Sequence, residues 1–440
     1  MQRQHRCIRL LMVLLYVAFA FAYRIMMIPP SQWDPHDPDL TGNLMMNYDI
    51  VCEMRGAMSI INGSFDMYVE RYSKDLVPPN GVAISYPPLT AYLLVPVMFA
   101  GTRLGLAPYG MPMYMACGLP YILLSALCAL QGGAVLKKVL KVTDEMVVNA
   151  TVFLLLFSSL MFWVATYSAR FELVAALFIL LSMTALASER YGWAGICIGL
   201  ALMTKQIVLP AVIVFILTIL IGVIRKEIAF RKAVDFLAAL PVPFVILIPF
   251  WLVSPHDLWV GLSGTPRAVP ILEFSFMNVV LAAGKSVFEE EALRRFLMLH
   301  SNSLILALCL VFVFLVIVKK RIRLGTSQFC ALVALASFFF PVLAKYTNIE
   351  RYAAVASVFV VLWGTSRKPG FPYDALWFVV LQSFILDHVP AIWKNQVGLI
   401  FYAVVFAYVF SIAFSMEKDR FPERSSGQMA GEPTGIGFWL

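Results

Sequence analysis

The stretch YPPLTAYLLVPVMFAGTRL, Tyr86 to Leu104, decides how the chain is threaded. It is apolar enough for a bilayer, yet Pro87 and Pro88 open it and Pro96 interrupts it. Proline removes a backbone donor and disfavours helix in the residue before it, so the run fits a segment that dips in or lies flat. Were it to cross, every later loop would change sides.

The basic residues choose between these threadings. With 86–104 not crossing, one side receives Arg3, Arg6 and Arg9; Lys137, Lys138 and Lys141; Arg190; Arg225, Lys226, Arg231 and Lys232; Lys319, Lys320, Arg321 and Arg323; Arg367 and Lys368; and Lys418, Arg420 and Arg424. These are most of the 34 Lys and Arg residues, in short loops and tails. Short cytoplasmic loops collect Lys and Arg, so this side is the inside.

The rest of the chain supplies the crossings. Of 440 residues, 61% are hydrophobic and only 14% are charged, where soluble domains are about half apolar and a quarter charged. Apolar runs fall at 8–28, 114–136, 148–167, 170–188, 191–204, 207–224, 233–253, 301–318, 327–344, 352–365, 374–392 and 396–415. Most approach the roughly 20 residues that cross a bilayer as a helix. The expectation is an all-α polytopic membrane protein with about twelve transmembrane helices and both termini inside. Ala18-Phe19-Ala20 has the spacing of a signal-cleavage site, but the run continues to Ile28, which favours a retained first helix. Residues 1–416 form one membrane domain in this scheme, and 417–440 a disordered inside tail.

The net charge of +8 lies at the ends of apolar runs. This is a topology signal rather than a nucleic-acid patch. The seven cysteines include no CxxC pair and form neither a disulfide framework nor a zinc pattern. His36 among Asp34, Asp37 and Asp39 has no recognised ligand spacing, and aspartates beside proline are turn formers. No metal and no cofactor is expected.

The two long outside stretches, 29–113 and 254–300, are where function is expected. Several ionisable residues fall at the same predicted surface. They are Asp49 and Glu53 in the first stretch; Arg170 and Glu172; Lys205; His256 and Asp257; Lys345, Glu350 and Arg351; and Asp387 and His388. Charges at helix ends in an apolar bundle are costly unless paired or hydrated, so they mark function by default. Cations converging with a few carboxylates suit an anionic phosphate headgroup and a general base. A plainer alternative stands beside this. A helix-end Lys or Arg can snorkel to the interface, Arg170/Glu172 and Glu350/Arg351 can simply brace helix turns, and Glu53, Glu70 and Asp75 can be solvated loop charges.

Four elements in order carry a family resemblance: GSFDMY (63–68) followed by SYPPLTAYLLVP (85–96); SARFELVAALFILLSMTAL (168–186); GLALMTKQIVLPAVIVF (199–215); and KYTNIERYAAVAS (345–357). Together they resemble the integral-membrane glycosyltransferases of the C-type fold (GT-C-like) that use polyprenyl-phosphate-sugar donors. The likeness extends to the glucosyltransferases that extend lipid-linked oligosaccharides and to bacterial and archaeal α-mannosyltransferase relatives (family 87-like). It covers roughly residues 8–360.

The resemblance implies a long first external loop with short interfacial helices and a catalytic aspartate near the end of the first helix. Asp49 is the matching position. Relatives often carry an acidic doublet or an aromatic a few residues on; this chain has Cys52 and Glu53 there, which leaves Glu53 open as the base. Tyr86, Arg170, Glu172, Lys205, Lys345, Glu350 and Arg351 are the expected donor-phosphate and substrate residues. One carboxylate base with a phosphate leaving group implies inversion at the anomeric carbon. The implied partners are the lipid bilayer, a polyprenyl-phosphate-sugar donor with mannose the first assignment, and a glycan or glycolipid acceptor, with no nucleic acid. The expected location is a prokaryotic plasma membrane, with the endoplasmic reticulum second; Asn62-Gly63-Ser64 forms an N-glycosylation sequon on the outside. The alternatives are a secondary transporter, which would place paired charges deep in its spans, and a polysaccharide ligase or polymerase-type protein, whose main functional loop would come late in the chain.

Overall fold

The computed structural model describes residues 2–27, 48–68, 86–166, 170–263, 276–284, 287–343, 349–367 and 370–415. The described residues are mostly helical, with no strand among them. In chain order the helices are α1 (Gln2–Met27), α2 (Tyr48–Ile61), α3 (Leu89–Arg103), α4 (Met111–Lys138), α5 (Glu145–Phe157), α6 (Ser159–Ala165), α7 (Glu172–Ala187), α8 (Tyr191–Thr204), α9 (Leu209–Ile224) and α10 (Phe230–Ala239). There follow α11 (Ile248–Val253), α12 (Pro255–Ser263), α13 (Phe276–Gly284), α14 (Glu290–Lys320), α15 (Ser327–Ser337), α16 (Phe339–Leu343), α17 (Ile349–Ser366), α18 (Tyr373–His388) and α19 (Ala391–Ser415).

Six helical stretches among the described residues are long and apolar enough to cross a membrane: Gln4–Met26, Met111–Lys138, Gln206–Ile224, Phe230–Val253, Leu299–Lys320 and Gln396–Phe414. The pair α5 and α6 makes a seventh if its two bent halves count as one span. Over their described residues the other expected runs fold as shorter helices. Leu89–Arg103, the run that decides the threading, is also a short apolar helix of this kind. Chain breaks explain several of the short lengths. Ser158 is extended (φ −66°, ψ 139°), ends α5, and caps α6 by accepting from the Met161 N–H at 3.4 Å; the two halves meet at a 54° bend. Lys205 is likewise extended (φ −160°, ψ 135°), so α8 stops there and a single 3-10 turn leads into α9.

Burial sorts the helices into an inner and an outer set. In α15 every residue from Phe329 to Ser337 is buried, and α17 is buried from Ala353 to Trp363. The outer helices show apolar side chains instead: Leu10, Leu14 and Phe19 on α1, Leu308 and Phe314 on α14, Leu381 and Phe384 on α18, Val404 and Phe410 on α19. An apolar surface of this extent belongs against lipid. Close approach sets one inner contact. A Cβ added at Gly195 or Gly199 of α8 would lie 2.2 Å from the backbone oxygen of Phe236 or Leu240, so α8 and α10 touch backbone to backbone.

The two ends of the bundle are held differently. At one end the basic clusters meet carboxylates and carbonyls. Arg9 and Lys137 both pair with Glu145, Lys232 with Glu189 at 2.7 Å, Arg323 with Glu227 at 3.1 Å, and Arg367 with Asp374 at 2.8 Å. Ser327 and Ser366 join the start of α15 to the end of α17 at 3.0 Å. The other end carries the segment after α1, and there α2 and α3 pack on each other and α3 reaches α4 and α8. Tyr68, Phe65 and Tyr92 surround the Phe250 ring edge-on, with centroids 5.5, 5.5 and 6.2 Å away, tying this segment to α11.

Candidate active site

The end of the bundle under α2 and α3 gathers an ionic cluster. Glu172 begins α7 and is fully buried; Lys205 follows α8 and is 3% exposed. Because α7 and α8 are an antiparallel pair, the start of one lies beside the end of the other. Lys205 Nζ donates to Glu172 Oε1 at 2.5 Å. The same ammonium sits 5.0 Å from the Tyr86 ring centre and 4.7 Å from that of Phe171, and those two rings pack edge to face at 4.8 Å. Tyr86 is fixed in turn by its carbonyl, which accepts from Tyr68 Oη at 2.7 Å. Arg170 is buried two residues before Glu172 and acts on it electrostatically, as Lys205 does. Lys205 is therefore no snorkelling lysine, and Glu172 pairs with Lys205 across helices rather than bracing its own turn with Arg170.

Glu53 completes the cluster from α2. It is 3% exposed, and neither carboxylate oxygen has a hydrogen-bond partner of normal geometry. The solvated-loop alternative for Glu53 is thereby overturned: α3 folds back over α2 and takes the residue out of water. Burial pushes its carboxyl up from 4.5 to about 8; Thr90 and Lys205 pull against this and Glu172 adds to it. Thr90, itself buried on α3, is near enough to act on Glu53 without forming a regular hydrogen bond.

Asp49 lies one helical turn before Glu53 on α2. Glu350 and Arg351 lie in the first turn of α17. Lys345, Glu70, Asp75 and the 34–39 stretch with His36 fall outside the described residues. The structure thus brings together Glu53, Tyr86, Arg170, Glu172 and Lys205 of the expected site. Asp257 accepts from Ser254 at 2.7 Å at the start of α12, and Asp387 from Ser159 at 2.7 Å between α18 and α6.

Two residues join the cluster that the sequence does not single out. Arg24, in the last turn of α1, is completely buried. Its guanidinium donates to the Thr166 carbonyl at 2.8 Å and the Tyr114 carbonyl at 3.1 Å, and lies 4.6 Å from the Tyr114 ring centre. Gly118 makes the room: a Cβ there would fall 2.3 Å from Arg24 Nε. Tyr121 on α4 is 1% exposed and feels the charges of Glu53, Glu172 and Arg24. An arginine inside an apolar helix was the available signal for the first; a tyrosine in a mid-helix apolar run offers none.

Taken as ionised groups, Lys205, Arg170 and Arg24 outnumber Glu53 and Glu172 by one positive charge, a balance suited to an anion. Among the described residues no three His, Cys, Asp or Glu side chains come together to hold a metal ion. No protein-family model, curated protein or solved structure matches the chain.

Proposed function

We propose that the protein is an inverting glycosyltransferase that moves a sugar, mannose in the first instance, from a polyprenyl phosphate to a lipid-linked or glycan acceptor. The observation that carries this is the buried cluster of Lys205, Arg170, Arg24, Glu172 and Glu53 at one end of an apolar helical bundle. A departing phosphate needs fixed positive charge, which is worth most where water is excluded. An attacking hydroxyl needs a carboxylate to take its proton. A donor with a lipid tail needs both at a membrane surface.

In this scheme the chain crosses twelve times in a GT-C-like arrangement. The shorter apolar helices complete the spans and α3 stays at the surface, so the cluster faces the outside. Asp49 is the general base, in the first turn of α2, with Glu53 the alternative one turn on. The membrane is a prokaryotic plasma membrane first and the endoplasmic reticulum second. Purified protein given a panel of polyprenyl-phosphate sugars should turn over one of them, and Asp49→Asn should abolish turnover while the protein stays monodisperse. Normal turnover in that variant would move the base to Glu53. No turnover of any donor, with proton-driven solute flux in vesicles, would establish the transporter instead. The Lys205–Glu172 pair gives that alternative its one support, but it stands at helix ends rather than deep in a span.

A further inference from the structure

Hydrogen-bond accounting at the cluster leaves a specific deficit. Buried polar groups are normally partnered. Here Glu53 Oε1 and Oε2, Glu172 Oε2 and Tyr121 Oη are all buried without a partner, although they come from three helices that converge. Two of the neighbouring cations already donate to protein oxygens. Lys205 Nζ is held by Glu172 Oε1, and the Arg24 guanidinium nitrogens Nη1 and Nη2 by two backbone carbonyls. These four atoms are three carboxyl oxygens, which accept once the group is ionised, and one phenol, which both accepts and donates.

A cation would satisfy the oxygens but would add to a net positive cluster. A phosphate would oppose the carboxylates directly. A vicinal pair of hydroxyls on a sugar ring meets three of the four: one hydroxyl accepts from Tyr121 and donates to Glu53, and its neighbour donates to the second Glu53 oxygen or to Glu172. We propose that Glu53, Tyr121 and Glu172 form a subsite for a vicinal pair of hydroxyls on the transferred sugar, beside the cations that hold its phosphate. The proposal rests on the glycosyltransferase assignment and adds to it the chemical feature by which the sugar is chosen. A site built to hydrogen-bond a substrate hydroxyl rejects the analogue lacking it, because its own buried groups are then left unpaired.

The experiment is calorimetric titration of the purified full-length protein with three probes: farnesyl phosphate, farnesyl-phosphoryl-mannose, and its monodeoxy analogues. Wild type should bind the mannosyl compound about 10- to 100-fold tighter than farnesyl phosphate, the range set by one or two hydrogen bonds to a charged acceptor. One adjacent pair of deoxy analogues should lose most of that preference. Tyr121→Phe removes one oxygen and should erase about tenfold of the sugar preference while leaving farnesyl phosphate binding unchanged. Glu53→Gln should act similarly and should also abolish a proton release on mannosyl binding, seen as a dependence of the heat on buffer ionisation. A merely structural tyrosine would weaken all probes alike. Binding of the mannosyl compound with the same preference in Tyr121→Phe as in wild type overturns the subsite and leaves the glycosyltransferase assignment standing. Failure of every probe to bind wild type overturns both.

Discussion

Replacing Glu53 by Gln should stabilise the protein, and more so as the pH rises. The folded chain holds the Glu53 proton up to about pH 8, whereas the ordinary value of 4.5 applies once the residue is hydrated. Between those values the folded state binds one more proton than the unfolded state, so stability falls with rising pH. Each unit is about 1.4 kcal/mol. Over 3.5 units, from 4.5 to 8, the loss is roughly 5 kcal/mol at most. The favourable state is fully present below pH 4.5 and is lost as pH climbs to 8; above that the contribution is flat. Gln keeps the shape and cannot ionise, so its curve lacks this slope. The assay is thermal unfolding in detergent, followed by tryptophan fluorescence from pH 5 to 8.5, with wild type and variant in parallel. The expected result is near-equal stability at pH 5 and a variant more stable by several degrees at pH 8. A variant less stable than wild type at pH 8, or a difference independent of pH, would refute the burial of an unpartnered carboxyl.

Lys205→Ala leaves the fully buried Glu172 without its countercharge and should cost about 3–5 kcal/mol, whereas Lys205→Met with Glu172→Leu should recover most of it; equal unfolding temperatures for single and double variants would contradict the pairing. Gly118→Ala places a Cβ against Arg24 Nε at 2.3 Å and should sharply reduce monodisperse yield, with partial recovery on adding Arg24→Ala. Gly195→Ala and Gly199→Ala each meet backbone oxygen at 2.2 Å, so α8 must move off α10. Each should lower the unfolding temperature by several degrees, and a neutral result would mean the two helices are further apart.

The apolar helices were legible because bilayer thickness imposes a length on apolar runs, and six of them reach it among the described residues. Their lengths were less so: the break at Ser158 between α5 and α6 turns on one serine adopting an extended backbone, which hydropathy averages away. Lys205 and Glu172 were legible as charges interrupting apolar runs, and their meeting follows from a short antiparallel hairpin. Glu53 was harder. Its helix, YDIVCEMRGAMSII, is mixed in composition and reads as surface, and its burial depends on α3, about 40 residues later. Tyr121 carries no local signal, since its importance lies only in what α2 and α7 set beside it.

Arg24 has a consequence for the order in which the molecule is made. The carbonyls that receive its guanidinium belong to Tyr114 and Thr166, 90 and 142 residues further along. When α1 first enters the bilayer, neither partner has been synthesised, and an unpaired arginine near the end of an apolar helix is costly in hydrocarbon. The last turn of α1 therefore stays near the polar surface, and is drawn in only once α4 and α6 arrive. A single side chain at position 24 makes the seating of the first helix a late event, completed by the same contacts that close one wall of the ionic cluster.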